Sequence, residues 1–325
     1  LKNAAKIHAF RAAPMPGFAA SMIPALRIDY SEAGRRCRIL KTLLDEADRA
    51  RIEFIVDDQK RHSMAFDLRF RTAHESGGRF PEKGMAGNLP SGETYIVPYE
   101  GERGEASWTR GVLPVEIGGE IVRFGIGGNR VIAVDGLGEA AEREENHLAA
   151  EPAYGNMAEL GFGVLGDFGI EPVGEILLDE KLGLHVAFGR SDHFGGSVGP
   201  SAFSSAAAVI HLDRIYIPSV QPRIGIESVE LDFPDGRIER LMSAGRYTIF
   251  CAYLGSARTN DTKAAPNAAT AMARRTARGT SPALILAAND SSRYWKRGMS
   301  LTSTAVFHQS VAGSFCWSAA IFSRE

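Results

Sequence analysis

The chain has little of what usually assigns a function quickly. Its three cysteines, Cys37, Cys251 and Cys316, form no CxxC pair. That excludes a disulfide framework or a cysteine-rich zinc module, and it suits a reducing compartment. No apolar run approaches the roughly 18 residues of a membrane span, and the N-terminus has no signal-type apolar core. A cytoplasmic protein without membrane partners is therefore expected. Net charge is only −2, so no nucleic-acid partner is expected either. The glycine-rich GIGGNR stretch, residues 125–130, lacks G-x-G-x-x-G spacing and lies between strand-like segments, so it reads as a turn. No HExxH motif is present.

What is present is an ordinary globular composition, 44% hydrophobic and 23% charged over 325 residues. That length suits roughly two domains. The chain opens on Leu1, which leaves a true start upstream as an expectation. Its charge is uneven: residues 251–325 carry a net +6 and the first 250 a net −8. The basic stretch is rich in Ala, Ser and Thr without a period of 3.6 or 2, and reads as a solvated, poorly ordered tail. We expect the folded unit to close near Phe250.

Before that point the patterning is clearer. Leu40, Leu43, Leu44 and Ala47 recur at helical spacing, and Ile52, Phe54 and Val56 then alternate like a strand. This is an α-then-β unit of the kind found in α/β domains. Phe66, Leu68 and Phe70 alternate again. Residues 107–136 read as short strands with glycine turns, and residues 137–150 as an acidic surface helix. Residues 224–250 read as a hairpin around Pro234-Asp235-Gly236. The expected class is α/β to α+β: a truncated α/β region and loop over 1–87, a strand-rich domain over 88–250, and the tail.

Three of the eight histidines fall between Leu184 and Asp213. There HLD sits in an apolar run, AAAVIHLDRIYI. On a strand His211 and Asp213 share a face, which Ile215 and Ile217 would continue. An imidazole and a carboxylate buried together need partners, and a metal ion supplies one. His185, Glu159 and Glu93 are further imidazole and carboxylate candidates beside glycine-rich turns. Such donors suit Zn, Mn, Co or Fe(II). Three carboxylates and two imidazoles exceed one tetrahedral zinc but fit two ions sharing a bridging carboxylate.

The blocks NLPSGE, AELGFG, DEKLGLHVAFGR and HLD, in that order, resemble the M29 family of metalloaminopeptidases over residues 88–250. The resemblance implies Glu93, Glu159, His185, His211 and Asp213 as ligands of two divalent ions (Zn, Co or Mn). It also implies removal of N-terminal amino acids from peptides, and a homodimer is among the expectations. Glu159 or Glu93 would serve as general base if not a ligand, and Arg190 would hold a carboxylate or oxyanion. The family's tyrosine, seven residues after the first histidine, is replaced by Asp192, with His193 next. Both are candidates to bind metal or move protons. The N-terminal part is also shorter than the family's. A dihydroxypyridine-type dioxygenase is the alternative, with one Fe(II) on His185, His211 and Asp213.

Overall fold

A computed structural model describes residues 1–250 and 320–323. Its strands are β1 (Arg11–Pro14), β2 (Arg49–Val56), β3 (Lys60–Asp67), β4 (His74–Ser76), β5 (Glu93–Ile96), β6 (Arg110–Ile117), β7 (Glu120–Gly127), β8 (Arg130–Asp135), β9 (Met157–Gly163), β10 (Leu184–Gly189), β11 (His211–Tyr216), β12 (Ile224–Asp232), β13 (Ile238–Ser243), β14 (Arg246–Tyr247) and β15 (Ala320–Ser323). The helices are α1 (Lys2–His8), α2 (Tyr30–Glu46), α3 (Glu139–Ala150) and the single turn α4 (Ile176–Asp179).

Every ladder between these strands is antiparallel. The fold is therefore α+β. The α2–β2 unit leads into β3 and pairs with β12, not into a parallel crossover. One sheet has eight strands in the order β14-β13-β12-β2-β3-β6-β7-β8. A second has five, β11-β10-β9-β5-β4, and β1 pairs separately with β15. Strands from both sides of residue 88 join each of the two larger sheets. The expected tail, residues 251–325, lies outside the described residues apart from β15.

Alternation decides which faces meet. Along β2, Ala50, Ile52, Phe54 and Val56 are buried and the residues between them are half-buried. On the five-stranded sheet Ile96, Leu160, Phe162, Leu184, Val186 and Phe188 face the same apolar core. Phe124 meets Phe188 with ring centroids 5.1 Å apart, and Phe54 meets Tyr216 at 4.8 Å. Burying side chains of this size contributes about 2 kcal/mol each. The opposite face of the smaller sheet is then left for polar groups.

Helix α2 braces that sheet. The Asp29 carboxylate caps it by accepting from the Ser31 and Glu32 amides at 2.8 and 3.4 Å. Cys37, Leu40, Leu43 and Leu44 bury its inner stripe. The Thr94 hydroxyl on β5 donates to the Cys37 carbonyl at 2.8 Å. Two local expectations change. Strand β3 ends at Asp67, and Phe70 is exposed with φ +64°, so the period-2 run does not continue through it. Ile217 lies beyond the end of β11, which is a half-buried edge strand rather than a buried one.

Candidate metal centre

Register brings the candidate ligands together. Glu93 pairs with Gly163, Ala187 with Glu159, His185 with Gly161 and Ile215, and Ala187 with Asp213. Directly paired residues point to the same side of a sheet. Glu93, Glu159, His185, His211 and Asp213 therefore stand on one face, the one turned away from the apolar core. Between them that face carries Gly161, Gly163, Ala187 and Gly189, which leave room for the long acidic and imidazole side chains. Two of these glycines are required by space. A Cβ on Gly161 would lie 1.9 Å from His185 Nε2, and one on Gly163 would lie 2.1 Å from the Lys181 carbonyl carbon.

Glu159 is the centre of the group. Its Oε1 lies 3.3 Å from His185 Nε2 and its Oε2 lies 3.2 Å from His211 Nε2. Both imidazoles turn Nδ1 outward to a backbone carbonyl, Gly183 at 3.3 Å and Arg190 at 2.8 Å. Those contacts fix each ring with Nε2 facing inward. Asp213 Oδ1 lies 3.8 Å from His211 Nε2, and Glu93 Oε2 lies 3.6 Å from His185 Nε2. The donors fall into two trios, Glu93–Glu159–His185 and Glu159–His211–Asp213, each with its ligand atoms within 4.8 Å of one another. Glu159 belongs to both. His185, His211 and Asp213 are split between the two trios instead of forming one of their own.

The electrostatics show how closely these groups are coupled. Burial would raise the Glu159 pKa, but hydrogen bonds and charge from His185 and His211 bring it down to about 2. Burial lowers the two histidines, and the Glu159 carboxylate outweighs it and pushes both up to about 9. Asp213 is raised by burial and by Glu159. Oε2 of Glu93 is buried and has no hydrogen-bond partner. A buried carboxylate oxygen left in this way is costly unless something positive meets it. Inward-facing imidazole nitrogens, several carboxylates and this orphaned oxygen together fit a divalent ion.

Two neighbours are not among the residues expected from the sequence. Lys181 is 2% exposed, and its Nζ donates to Glu93 Oε1 at 2.7 Å and to the Glu180 carboxylate. Burial opposes its charge, but Glu93 and Glu180 raise its pKa. Burial pushes Glu180 up to about 7, with Lys181 pulling the other way. Both lie in DEKLG, directly before the His185 strand, and nothing local in that stretch marks them as buried. A cavity of about 170 Å³ opens on the cluster, lined by Glu93, Glu159, Glu180, Lys181, His211 and Asp213, with Tyr95 and Phe194 as aromatic wall and Lys2 and Asn88 among its other residues. A larger cavity of about 1200 Å³, lined by Ile55, Ile170, Tyr216, Ile226, Met242 and Tyr247 among others, contains none of the ligand candidates.

The remaining candidates stand outside the small cavity. Arg190 Nε donates to Asp192 Oδ1 at 2.5 Å, so its guanidinium is engaged beside the cluster and not aimed into it. Asp192 lies 3.7 Å from His193 Nδ1. His193 packs edge-on against His211 with ring centroids 5.1 Å apart. No helix among the described residues is long and apolar enough to cross a membrane.

No family model and no curated protein matches the chain. Among solved structures it is similar to wild-type AmpT from Thermus thermophilus, with a TM-score of 0.46 and 16% identity, covering 67% of this chain and 55% of that one. It is also similar to 2,5-dihydroxypyridine dioxygenase from Pseudomonas putida KT2440, with a TM-score of 0.49 and 15% identity, covering 70% of this chain and 62% of that one. The chain thus spans less than two thirds of the length of either protein. Neither likeness bears on activity, which has to be argued from the site.

Proposed function

We propose that the chain is a metal-dependent hydrolase of the aminopeptidase type, with residues 88–250 carrying two divalent ions bridged by Glu159. The observation that carries this reading is the sharing of one carboxylate by two donor trios of equal composition. Bound there, Zn, Co or Mn ions would supply an acidified water and an electrophile for a substrate carbonyl. Glu93, Glu159 and His185 would hold one ion, and Glu159, His211 and Asp213 the other. The Arg190 carbonyl, accepting from His211 Nδ1, holds that ring in the tautomer a ligand needs.

Glu180 lines the same cavity, belongs to neither trio, and is the carboxyl placed to hold or pass a proton. His193 stands against His211 as a second proton carrier, while Asp192 engages the Arg190 guanidinium. A cavity of about 170 Å³ suits one small residue of a peptide or another small molecule, not a folded partner. The test is metal analysis of the purified chain together with cleavage of amino acid anilides and dipeptides. About two ions per chain and chelator-sensitive release of the N-terminal residue are expected. One iron with oxygen consumption would replace this reading with the ring-cleaving dioxygenase. Full metal loading without turnover on these substrates would leave a metal-binding domain and refute the hydrolase.

A further inference from the structure

The two trios have the same chemistry, two carboxylates and one imidazole each, with Glu159 in common. Any difference in how tightly they hold an ion must therefore come from their surroundings. Glu93 has Lys181 on one oxygen at 2.7 Å, an ammonium that is 3% exposed at its side chain. No ammonium or guanidinium among the described residues forms an ion pair with Glu159, His211 or Asp213; their ion-pair partners are one another and His185. We propose that Lys181 is a built-in competitor for the ion on Glu93, so that the centre fills in order, first at Glu159–His211–Asp213 and second at Glu93–Glu159–His185. The inference rests on the two-ion reading above and adds a loading order to it.

Two effects of Lys181 act together. By donating to Oε1 it competes for that oxygen and leaves Oε2, which has no hydrogen-bond partner, as the oxygen freest to meet an ion. It also keeps a fixed positive charge one carboxylate away from any ion that Oε2 receives. Even at the dielectric of bulk water, about 80, a unit charge about 5 Å from a divalent ion weakens its binding roughly tenfold. Glu180 shares the ammonium and offsets part of that charge. The position of Lys181 is built into the fold, because the turn carrying it presses its backbone against Gly163, where a Cβ would collide.

Ions in a shared centre repel each other whatever surrounds them, so a weak second step in the parent is not by itself the test. The test is calorimetric titration of the full chain with Zn²⁺, comparing the parent with Lys181→Met and Lys181→Arg. Lys181→Met should narrow the gap between first and second binding constants at least tenfold, and Lys181→Arg, which keeps the charge, should preserve it. An unchanged gap in Lys181→Met, or two equally tight ions in the parent, would overturn the proposal and leave the two-ion reading intact. A second comparison does not depend on Lys181 variants folding. Glu93→Gln leaves only the trio at His211, and Asp213→Asn disables that trio, so each variant isolates one half. The Glu93→Gln protein should hold its ion at least tenfold more tightly than Asp213→Asn, and equal or reversed affinities would sink the ordering. A parent chain that binds no Zn²⁺ at all would refute the metal reading itself, and the inference with it.

Discussion

The two large sheets are both antiparallel and both bury one apolar face against the same core, yet they treat charge in opposite ways. On the outer face of the eight-stranded sheet, acids are matched by guanidinium groups. Arg51 meets Asp232 at 2.8 Å and Glu230 at 3.0 Å, Arg240 meets Glu230 at 2.8 Å, and Arg61 meets Glu227 at 2.7 Å. On the outer face of the five-stranded sheet Glu93, Glu159 and Asp213 gather with two imidazoles. One ammonium, Lys181, serves that cluster and is shared with Glu180. The first arrangement needs nothing further. With its imidazoles neutral, the second holds more buried carboxylate than Lys181 neutralises, which is the pattern of a site built for something else to bind.

Space separates the sheets as sharply as charge, and a methyl group tests it. Gly161→Ala would put a Cβ 1.9 Å from His185 Nε2 on a central strand. We expect loss of about 3 kcal/mol in urea unfolding, at the upper end of overpacking costs, together with loss of Zn²⁺ binding. Gly225→Ala on the other sheet would meet the Ile55 Cγ2 methyl at 3.0 Å and the Ile55 carbonyl oxygen at an ordinary 3.9 Å. It should cost about 1 kcal/mol or less and leave metal content alone. If the two variants behaved alike, the smaller sheet's glycines would not be making room for the site.

These glycines also mark where the sequence could be read and where it could not. The helix at Leu40, Leu43 and Leu44 and the alternation at Ile52, Phe54 and Val56 are local patterns, and they form α2 and β2. The five ligand candidates were named from short blocks, and the ladder order β5-β9-β10-β11 brings them onto one face. That order is non-local: nothing in the periodicity of AELGFG states that β9 lies between β5 and β10. Lys181 was illegible for the same reason. In DEKLG it reads as a solvated charge, and only the approach of its turn to Gly163 on another strand buries it. Arg190 is a local case, because a guanidinium two residues before a carboxylate can pair with it, as it does with Asp192.

Removing charge at the shared ligand should separate the sheets next. Glu159→Gln keeps the shape but takes one anionic ligand from both trios. Metal content should fall from about two ions to none after dialysis, and any turnover should fall at least about 10³-fold. Retention of two ions would remove Glu159 from the bridging position.

The metal-free protein gives a pH test with a definite sign. His185 and His211 are held up at about 9 in the folded chain, above the ordinary 6.5. Between those values the folded state binds more protons than the unfolded one, so stability must fall as pH rises. Their contribution is complete below about pH 6.5 and gone above about pH 9, an expected loss of a few kcal/mol. After chelation, Tm should drop between pH 7 and 9.5. With Zn²⁺ bound the imidazoles are already neutral and the drop should disappear, while apparent metal affinity rises over the same window. A chelated protein with flat stability across that range would show that Glu159 does not hold the two rings protonated.

The smallest effect belongs to the sheet that is already neutral. Arg51 is 37% exposed at its side chain, so solvent screens its pairs with Asp232 and Glu230. Removing it does not strand either acid, since Arg49 stays within 4.0 Å of Asp232 and Arg240 remains on Glu230 at 2.8 Å. Arg51→Ala should therefore cost less than about 1 kcal/mol, shrink further in 0.5 M salt, and leave Zn²⁺ stoichiometry unchanged. The measurement is paired urea unfolding at low and high salt beside metal analysis. A loss of several kcal/mol that salt did not reduce would mean that charge on the eight-stranded sheet is held as tightly as at the candidate metal centre. The contrast between the two sheets would then have to rest on space alone.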